Sequence, residues 1–150
     1  GHGLCYFPTG FGKGQLLAID PVGKNDITDN NIKWRLDRSG VPEKPSLLLI
    51  NDHLYLVDDQ GGLVTCVDAK NGKESWSERL GGNYSASPIT AQGLIYAFNE
   101  NGKCTVFTAS PAGLKKIAEN NLESGFMASP AVYKNALILR TKTHLYRVEN

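Results

Sequence analysis

The chain has 150 residues, with 16 Lys and Arg against 15 Asp and Glu and a formal net charge of +1, which is one ordinary domain's worth of material or less. A hydrophobic fraction of 41% excludes disorder by low hydropathy, and no apolar run approaches the roughly 18 residues that a membrane-spanning helix needs. Balanced charge without a basic, aromatic-interleaved stripe argues against a nucleic-acid surface. The 16 glycines and 7 prolines, set between short β-prone segments, predict an all-β chain rich in turns.

Cys5, Cys66 and Cys104 are an odd count at wide separations, so they predict free, mostly buried thiols and no CxxC metal site. Gly1 to Gly3 form neither an initiating Met nor a secretion signal and read as the start of a stretch inside a longer polypeptide or after a removed segment.

A repeat runs through the chain. Trp34 and Trp76 are 42 residues apart, Tyr55 and Tyr96 are 41 apart, and the pairs Ser87-Pro88 and Ser129-Pro130 are 42 apart. Superposed, the copies place Ser46-Leu47 over both Ser-Pro pairs, and Leu54-Tyr55-Leu56 over Ile95-Tyr96-Ala97 and Leu137-Ile138-Leu139. In chain order the first copy carries Ala18-Ile19-Asp20, a polar stretch over 22–33, and Trp34. The second predicts strands at 46–50, 53–58, 63–68 and 74–79, joined at Asn51-Asp52, Asp59-Gln60-Gly61-Gly62 and Asn71-Gly72. The third predicts strands at 86–90, 94–99, 103–109 and 114–119, with Asn101-Gly102 at a turn. The fourth stops at its third strand, so fourteen strands fall into repeats of about 1–40, 41–83, 84–125 and 126–150.

Leu54 to Val57 and Ala136 to Leu139 are apolar at every position, and a strand of that kind must be covered on both faces. Four-stranded antiparallel units repeating at about 42 residues, each packed between two neighbours, are the blades of a β-propeller. The expected fold is a propeller fragment of three and a half to four blades, with exposed apolar blade faces and an unpaired sheet edge at its end. A β-sandwich is the structural alternative, and it leaves the repeat unexplained.

The stretch Cys66-Val67-Asp68-Ala69-Lys70-Asn71-Gly72-Lys73-Glu74-Ser75-Trp76 resembles the A-x-D-x-x-T-G-x-x-x-W docking motif of the pyrroloquinoline-quinone-like, or quinoprotein-type, repeat family. Cys66 stands for Ala and Asn71 for Thr, the first copy stretches the Asp-to-Trp spacing from 8 to 14, and the third lacks the tryptophan. The resemblance covers essentially the whole chain, and it is most similar to the outer-membrane barrel-assembly lipoprotein type. It implies that Trp34 and Trp76 pack between neighbouring blades while Asp68 and Gly72 shape the adjoining turn. It also implies that these repeats are the C-terminal half of a larger ring, completed by a second copy or by the missing half, in a periplasmic or secreted location.

Some members of the family hold pyrroloquinoline quinone and calcium, with a disulfide between adjacent cysteines against the cofactor. This chain has no Cys-Cys pair and nothing that matches their calcium ligands, so no cofactor is expected. No metal or catalytic residue is expected either. His2, His53 and His144 form no zinc spacing, and His2 reads as vector-derived or disordered. Gly10-Phe11-Gly12-Lys13-Gly14 lacks phosphate-loop spacing and reads as a hairpin loop, Asp58-Asp59 reads as a solvated turn, and Asn83-Tyr84-Ser85 is a short glycosylation pattern of the kind that arises by chance. Arg140, Lys142 and His144, with Arg147 nearby, form a basic rim that would suit an anion or a partner. The function implied is a noncatalytic scaffold for protein–protein interaction, with a fragment of a quinone-dependent sugar or alcohol dehydrogenase as the alternative.

Overall fold

The computed structural model describes residues 1–9 and 14–149. Residues 10–13, most of the glycine-rich stretch read as a hairpin loop, lie outside the described residues. All regular structure among the described residues is β, in four antiparallel sheets that each follow chain order. Blade 1 holds β1 (Cys5–Thr9), β2 (Gln15–Ile19) and β3 (Ile32–Asp37). Blade 2 holds β4 (Leu48–Ile50), β5 (His53–Val57), β6 (Leu63–Asp68) and β7 (Glu74–Arg79). Blade 3 holds β8 (Ile89–Ala91), β9 (Leu94–Phe98), β10 (Lys103–Thr108) and β11 (Lys116–Asn121), and blade 4 holds β12 (Ala131–Tyr133), β13 (Ala136–Arg140) and β14 (Leu145–Val148).

The strands that differ from expectation do so because a neighbouring blade takes their first hydrogen-bonding groups. The strand expected at 86–90 begins only at Ile89, because Ser87 N–H donates to Ser129 Oγ (2.9 Å) and Pro88 has no N–H. The one expected at 46–50 begins at Leu48, with Ser46 N–H donating to Ser87 Oγ (2.9 Å). The strand expected at 114–119 starts at Lys116, where Leu114 N–H already reaches Glu78 Oε1 of blade 2 (3.3 Å).

Apolar runs on the second strands are explained by period-two alternation between two joints. From β5, Leu54 and Leu56 join Leu16, Val41, Val67 and Ala69 against blade 1. Tyr55 and Val57, pointing the other way, join Val64 and Cys66 and meet Tyr84, Ile95, Ala97 and Phe107 of blade 3. A third cluster, Ala86, Phe98, Phe126 and Leu139, joins blade 3 to blade 4. Blade 4 has no such cover on its other side among the described residues: Tyr133 and Leu145 are 55% and 72% exposed.

Candidate functional site

Each joint is built from the same local irregularity. A register shift falls at Ala18/Ile19, Cys66/Val67 and Val106/Phe107, and the residues paired just before it are Trp34, Trp76 and Ala118. Three cross-strand rows result: Tyr6–Ala18–Trp34, Tyr55–Cys66–Trp76 and Tyr96–Val106–Ala118. In the first two rows the indole lies near the tyrosine ring, at 5.9 and 6.2 Å between centroids. Each indole also donates its Nε1–H to a carbonyl of the next blade, Trp34 to Ala69 (3.0 Å) and Trp76 to Ser110 (2.9 Å).

Asp68 and Gly72 lie under Trp34, the tryptophan of the preceding repeat, and not under Trp76 of their own. Asp68 Oδ1 accepts the N–H groups of Lys70 and Asn71 (2.7 and 3.2 Å), and its carbonyl accepts from Gly72 N–H (2.8 Å). Gly72 has φ +73°, and a Cβ there would lie 2.6 Å from the Trp34 ring. Both the turn and the approach of the indole therefore require glycine.

The third row has no indole. On the same face opens a cleft of about 450 Å³, lined by Tyr96, Phe98, Cys104, Val106, Leu137 and Val148 among others. Burial against this apolar wall pushes the Cys104 thiol up to about 11. Ala118→Trp is expected to fill part of the cleft and raise stability by about 1 kcal/mol, measured as a shift in the thermal midpoint; an unchanged or lowered midpoint would show that the cleft does not accept the ring.

A second repeated device emerges only in three dimensions. The segment entering blades 3 and 4 inserts an aromatic plug into the preceding blade. Tyr84 is fully buried against Gly62, whose φ is +60° and where a Cβ would lie 2.4 Å from the ring, while Phe126 meets Phe98 edge-on at 5.1 Å. The plugs are pinned through their backbones, Tyr84 N–H to Asp59 O (3.0 Å) and Phe126 N–H to Asn99 O (3.1 Å). The Tyr84 hydroxyl lies beside that of Thr105, both buried without a hydrogen bond of good geometry, and burial pushes the phenol up to about 12. The serines form a third device: Ser46 donates to Ser87 and Ser87 to Ser129, a chain of hydrogen bonds running from blade 2 to blade 4. Their recurrence at one place in each repeat was the visible signal; their bonding to one another was not.

Asp58-Asp59 is not a solvated turn. Asp59 is 3% exposed, because its Oδ1 accepts the Glu43 N–H (3.0 Å) and so ties down the segment entering blade 2. Burial raises the Asp58 carboxyl above the usual carboxylate range, helped by the adjacent Asp59. The fold thus favours protonated Asp58, and its charge costs stability at neutral pH, a cost that disappears as pH falls through the folded-state value. Asp58→Asn, which keeps an acceptor for Gln60 N–H, is expected to raise the thermal midpoint at pH 7 and to lose that advantage below about pH 4. An advantage independent of pH would rule out the burial explanation.

His2 is neither isolated nor disordered: its Nε2 lies 3.3 Å from Asp52 Oδ1 and 3.2 Å from Asn51 O, and Lys70 Nζ binds Asp52 at 2.8 Å. His53 opens β5, far along the chain from His144. Cys66 is buried, but Cys5 and Cys104 are only half-buried, since each lies where blade coverage is incomplete. Asn83 of the glycosylation pattern accepts Gly61 N–H on its Oδ1 (3.2 Å), next to the buried Tyr84.

Of the basic rim, the structure brings two members together. Arg140 and Lys142 line a cleft of about 290 Å³ with Met127, Ala128 and Thr141. His144 is turned elsewhere, its Nδ1 2.8 Å from Thr143 Oγ1 and its ring 5.7 Å from that of Tyr146. Arg147 pairs with Glu149 (2.7 Å). Among the described residues no group of three or more His, Cys, Asp or Glu is placed to hold a metal, and no helix is long and apolar enough to cross a membrane.

Four antiparallel sheets on a period of about 42 residues, the first three joined by tryptophans that dock on the turn of the next sheet, define a fragment of a β-propeller of pyrroloquinoline-quinone-like repeats. The family model of the outer membrane protein assembly factor BamB matches residues 12–114, and the chain belongs to that family. BamB from Moraxella catarrhalis superposes with a TM-score of 0.73 at 14% identity, over 98% of this chain and 43% of that one. AztD from Citrobacter koseri follows at 0.58 and 20% identity, over 82% of this chain and 34% of that one. A europium-containing methanol dehydrogenase superposes at 0.59 and 14% identity, over 83% and 24%. The chain thus spans less than half the length of each of these proteins, and at such identities the likeness is one of fold. No curated protein matches the chain in sequence.

Proposed function

We propose that the chain is part of a noncatalytic β-propeller scaffold for protein–protein interaction. One observation carries this reading: the terminal blades expose apolar side chains of a kind that the interior joints bury. Phe7 of blade 1 and Tyr133 and Leu145 of blade 4, on the outward faces, are 51–72% exposed, whereas Leu54 to Val57 of blade 2 are at most 1% exposed. Exposed apolar faces of this kind favour association, and so does the β14 edge, which has no strand beside it among the described residues. The cover is a second copy closing a ring of about eight blades, or the remaining blades of a longer chain. The blade limits near 40, 83 and 125 follow the repeat, and family membership supports a periplasmic or secreted location.

A second reading, a piece of a quinone-dependent dehydrogenase oxidising a sugar or alcohol, is favoured by the superposition on the methanol dehydrogenase. It requires the chemistry to come from blades outside this chain. Light scattering of the purified chain, followed by titration with pyrroloquinoline quinone and calcium, separates the two. A dimer or larger species that ignores the quinone is expected. A monomer binding the quinone stoichiometrically would overturn the scaffold reading.

A further inference from the structure

The joint between blades 3 and 4 differs from the other two at a place that each of them fills with an indole. Trp34 and Trp76 lie beside Tyr6 and Tyr55, and Tyr55 is 1% exposed. Blade 3 has Ala118 in that row, and Tyr96 is only half-buried. The facing blade does not compensate. Val148 pairs with Leu137 as Phe107 pairs with Ile95, so this joint also lacks the ring that Phe107 adds to the cluster with Trp76.

The space left is the cleft of about 450 Å³, within the range of small-molecule sites. Phe98, Phe126 and Leu139, at most 6% exposed, line it together with Cys104 and Val106, and none of its lining residues carries a charge. Asn120 also lines it, two positions from Ala118 and so on the same face of β11. Its amide oxygen is an acceptor of the kind that the Ala69 and Ser110 carbonyls present to the two indoles.

The strand that carries the ring at the other joints is present here as β11, paired with β10. A ring is missing, and not a stretch of backbone. An apolar space left by a missing side chain takes up a ring of suitable size from water, because neither the ring nor the wall gives up a hydrogen bond. The aromatic walls add an edge-to-face preference that a saturated ring cannot use. A charged ligand would be desolvated with no opposite charge to meet it.

We propose that the joint between blades 3 and 4 is a binding site for a small, neutral, planar aromatic molecule of about the size of indole, in the place that Trp34 and Trp76 hold at the other joints. The site is separate from the exposed blade faces that carry the scaffold reading, and neither depends on the other.

Cys104 reports on the cleft, and Cys5, half-buried in blade 1, is the internal control. The purified chain is alkylated with iodoacetamide at mildly alkaline pH, and the rate at each cysteine is read from its peptide by mass spectrometry. Indole at about ten times its half-effective concentration is expected to slow Cys104 about tenfold, in proportion to the fraction of free site, and to leave Cys5 unchanged. In Ala118→Trp, where the chain supplies the ring, protection by indole is expected to disappear. Val148→Phe, which restores the counterpart of Phe107, is expected to weaken it and keeps the test decisive where the tryptophan variant does not fold, as circular dichroism shows. Absence of protection, equal slowing of Cys5, or protection undiminished in a folded variant would overturn the proposal. So would equal protection by cyclohexanol, which would make the cleft a general apolar gap. Stronger protection by the hexapeptide Lys-Glu-Ser-Trp-Ser-Glu, copied from residues 73–78, would overturn it in favour of a dock for a polypeptide tryptophan. Light scattering and the quinone titration decide the scaffold reading whatever Cys104 reports.

Discussion

Trp76→Ala is expected to cost about 3 kcal/mol, the lower end for removing a large aromatic from a packed site, because the indole is half-buried. Two separate losses combine: the ring's packing beside Tyr55 in the joint between blades 2 and 3, and the Nε1–H bond to Ser110 O. Trp76→Phe keeps a ring without the donor and is expected to cost roughly 1–2 kcal/mol, since the Ser110 carbonyl loses its partner and the smaller ring leaves space. Urea unfolding followed by circular dichroism measures both, with wild-type slope as the check that the unfolded state is unchanged. A loss below about 1 kcal/mol for Trp76→Ala would show that the indole contributes little to docking.

Gly125→Ala is expected to be comparably damaging for a different reason. A Cβ at Gly125 would stand 1.6 Å from the Glu100 carbonyl oxygen, a backbone atom of blade 3 that no side-chain rotation can move away. The entry segment of blade 4 would have to retreat, withdrawing Phe126 from Phe98 and lengthening Phe126 N–H to Asn99 O. The expected cost is about 2–3 kcal/mol, typical of forced overpacking. Gly93→Ala is the control: its φ is +75° but a Cβ would meet nothing within 4 Å, so it reports backbone strain alone, about 1 kcal/mol. If the two substitutions cost the same, the close approach of blades 3 and 4 is not what Gly125 serves.

Which parts of this molecule were legible in the sequence follows the range of the interactions involved. Strand and turn positions were readable because a hairpin is set by residues a few positions apart, such as Asn71-Gly72 between β6 and β7. Double-sided coverage was readable from Leu54 to Val57, because alternation sends an unbroken apolar run to both faces. The burial of Asp59 was not, since Asp-Asp-Gln-Gly-Gly is by composition a surface turn, and the Glu43 amide 16 residues before it and the Tyr84 plug 25 residues after it make it otherwise. The strand starts expected at Ser46 and Ala86 were misplaced for the same reason: the amides of Ser46 and Ser87 bond to serines 41 and 42 residues further along.

The candidate site shows the same division. Arg140, Lys142 and His144 are close in sequence, and a charge count groups all three. The turn between β13 and β14 sends His144 toward Thr143 and Tyr146, while Arg140 and Lys142 share a cleft with Met127 and Ala128. That Arg140 stands where Val57 and Phe98 stand could be read from the aligned repeats. That its Nε donates to the Thr141 carbonyl could not, because this depends on a rotamer and a backbone position that only the folded blade fixes.

By itself, then, the sequence determined the repeat, the antiparallel four-stranded unit and the need for neighbours on both sides, because these follow from periodicity and turn chemistry within about 40 residues. Only the tertiary structure decided how one blade holds the next: which turn seats which tryptophan and which aromatic plugs which blade. Those contacts join residues 20 to 40 positions apart, and no local preference in the chain encodes the distance between them.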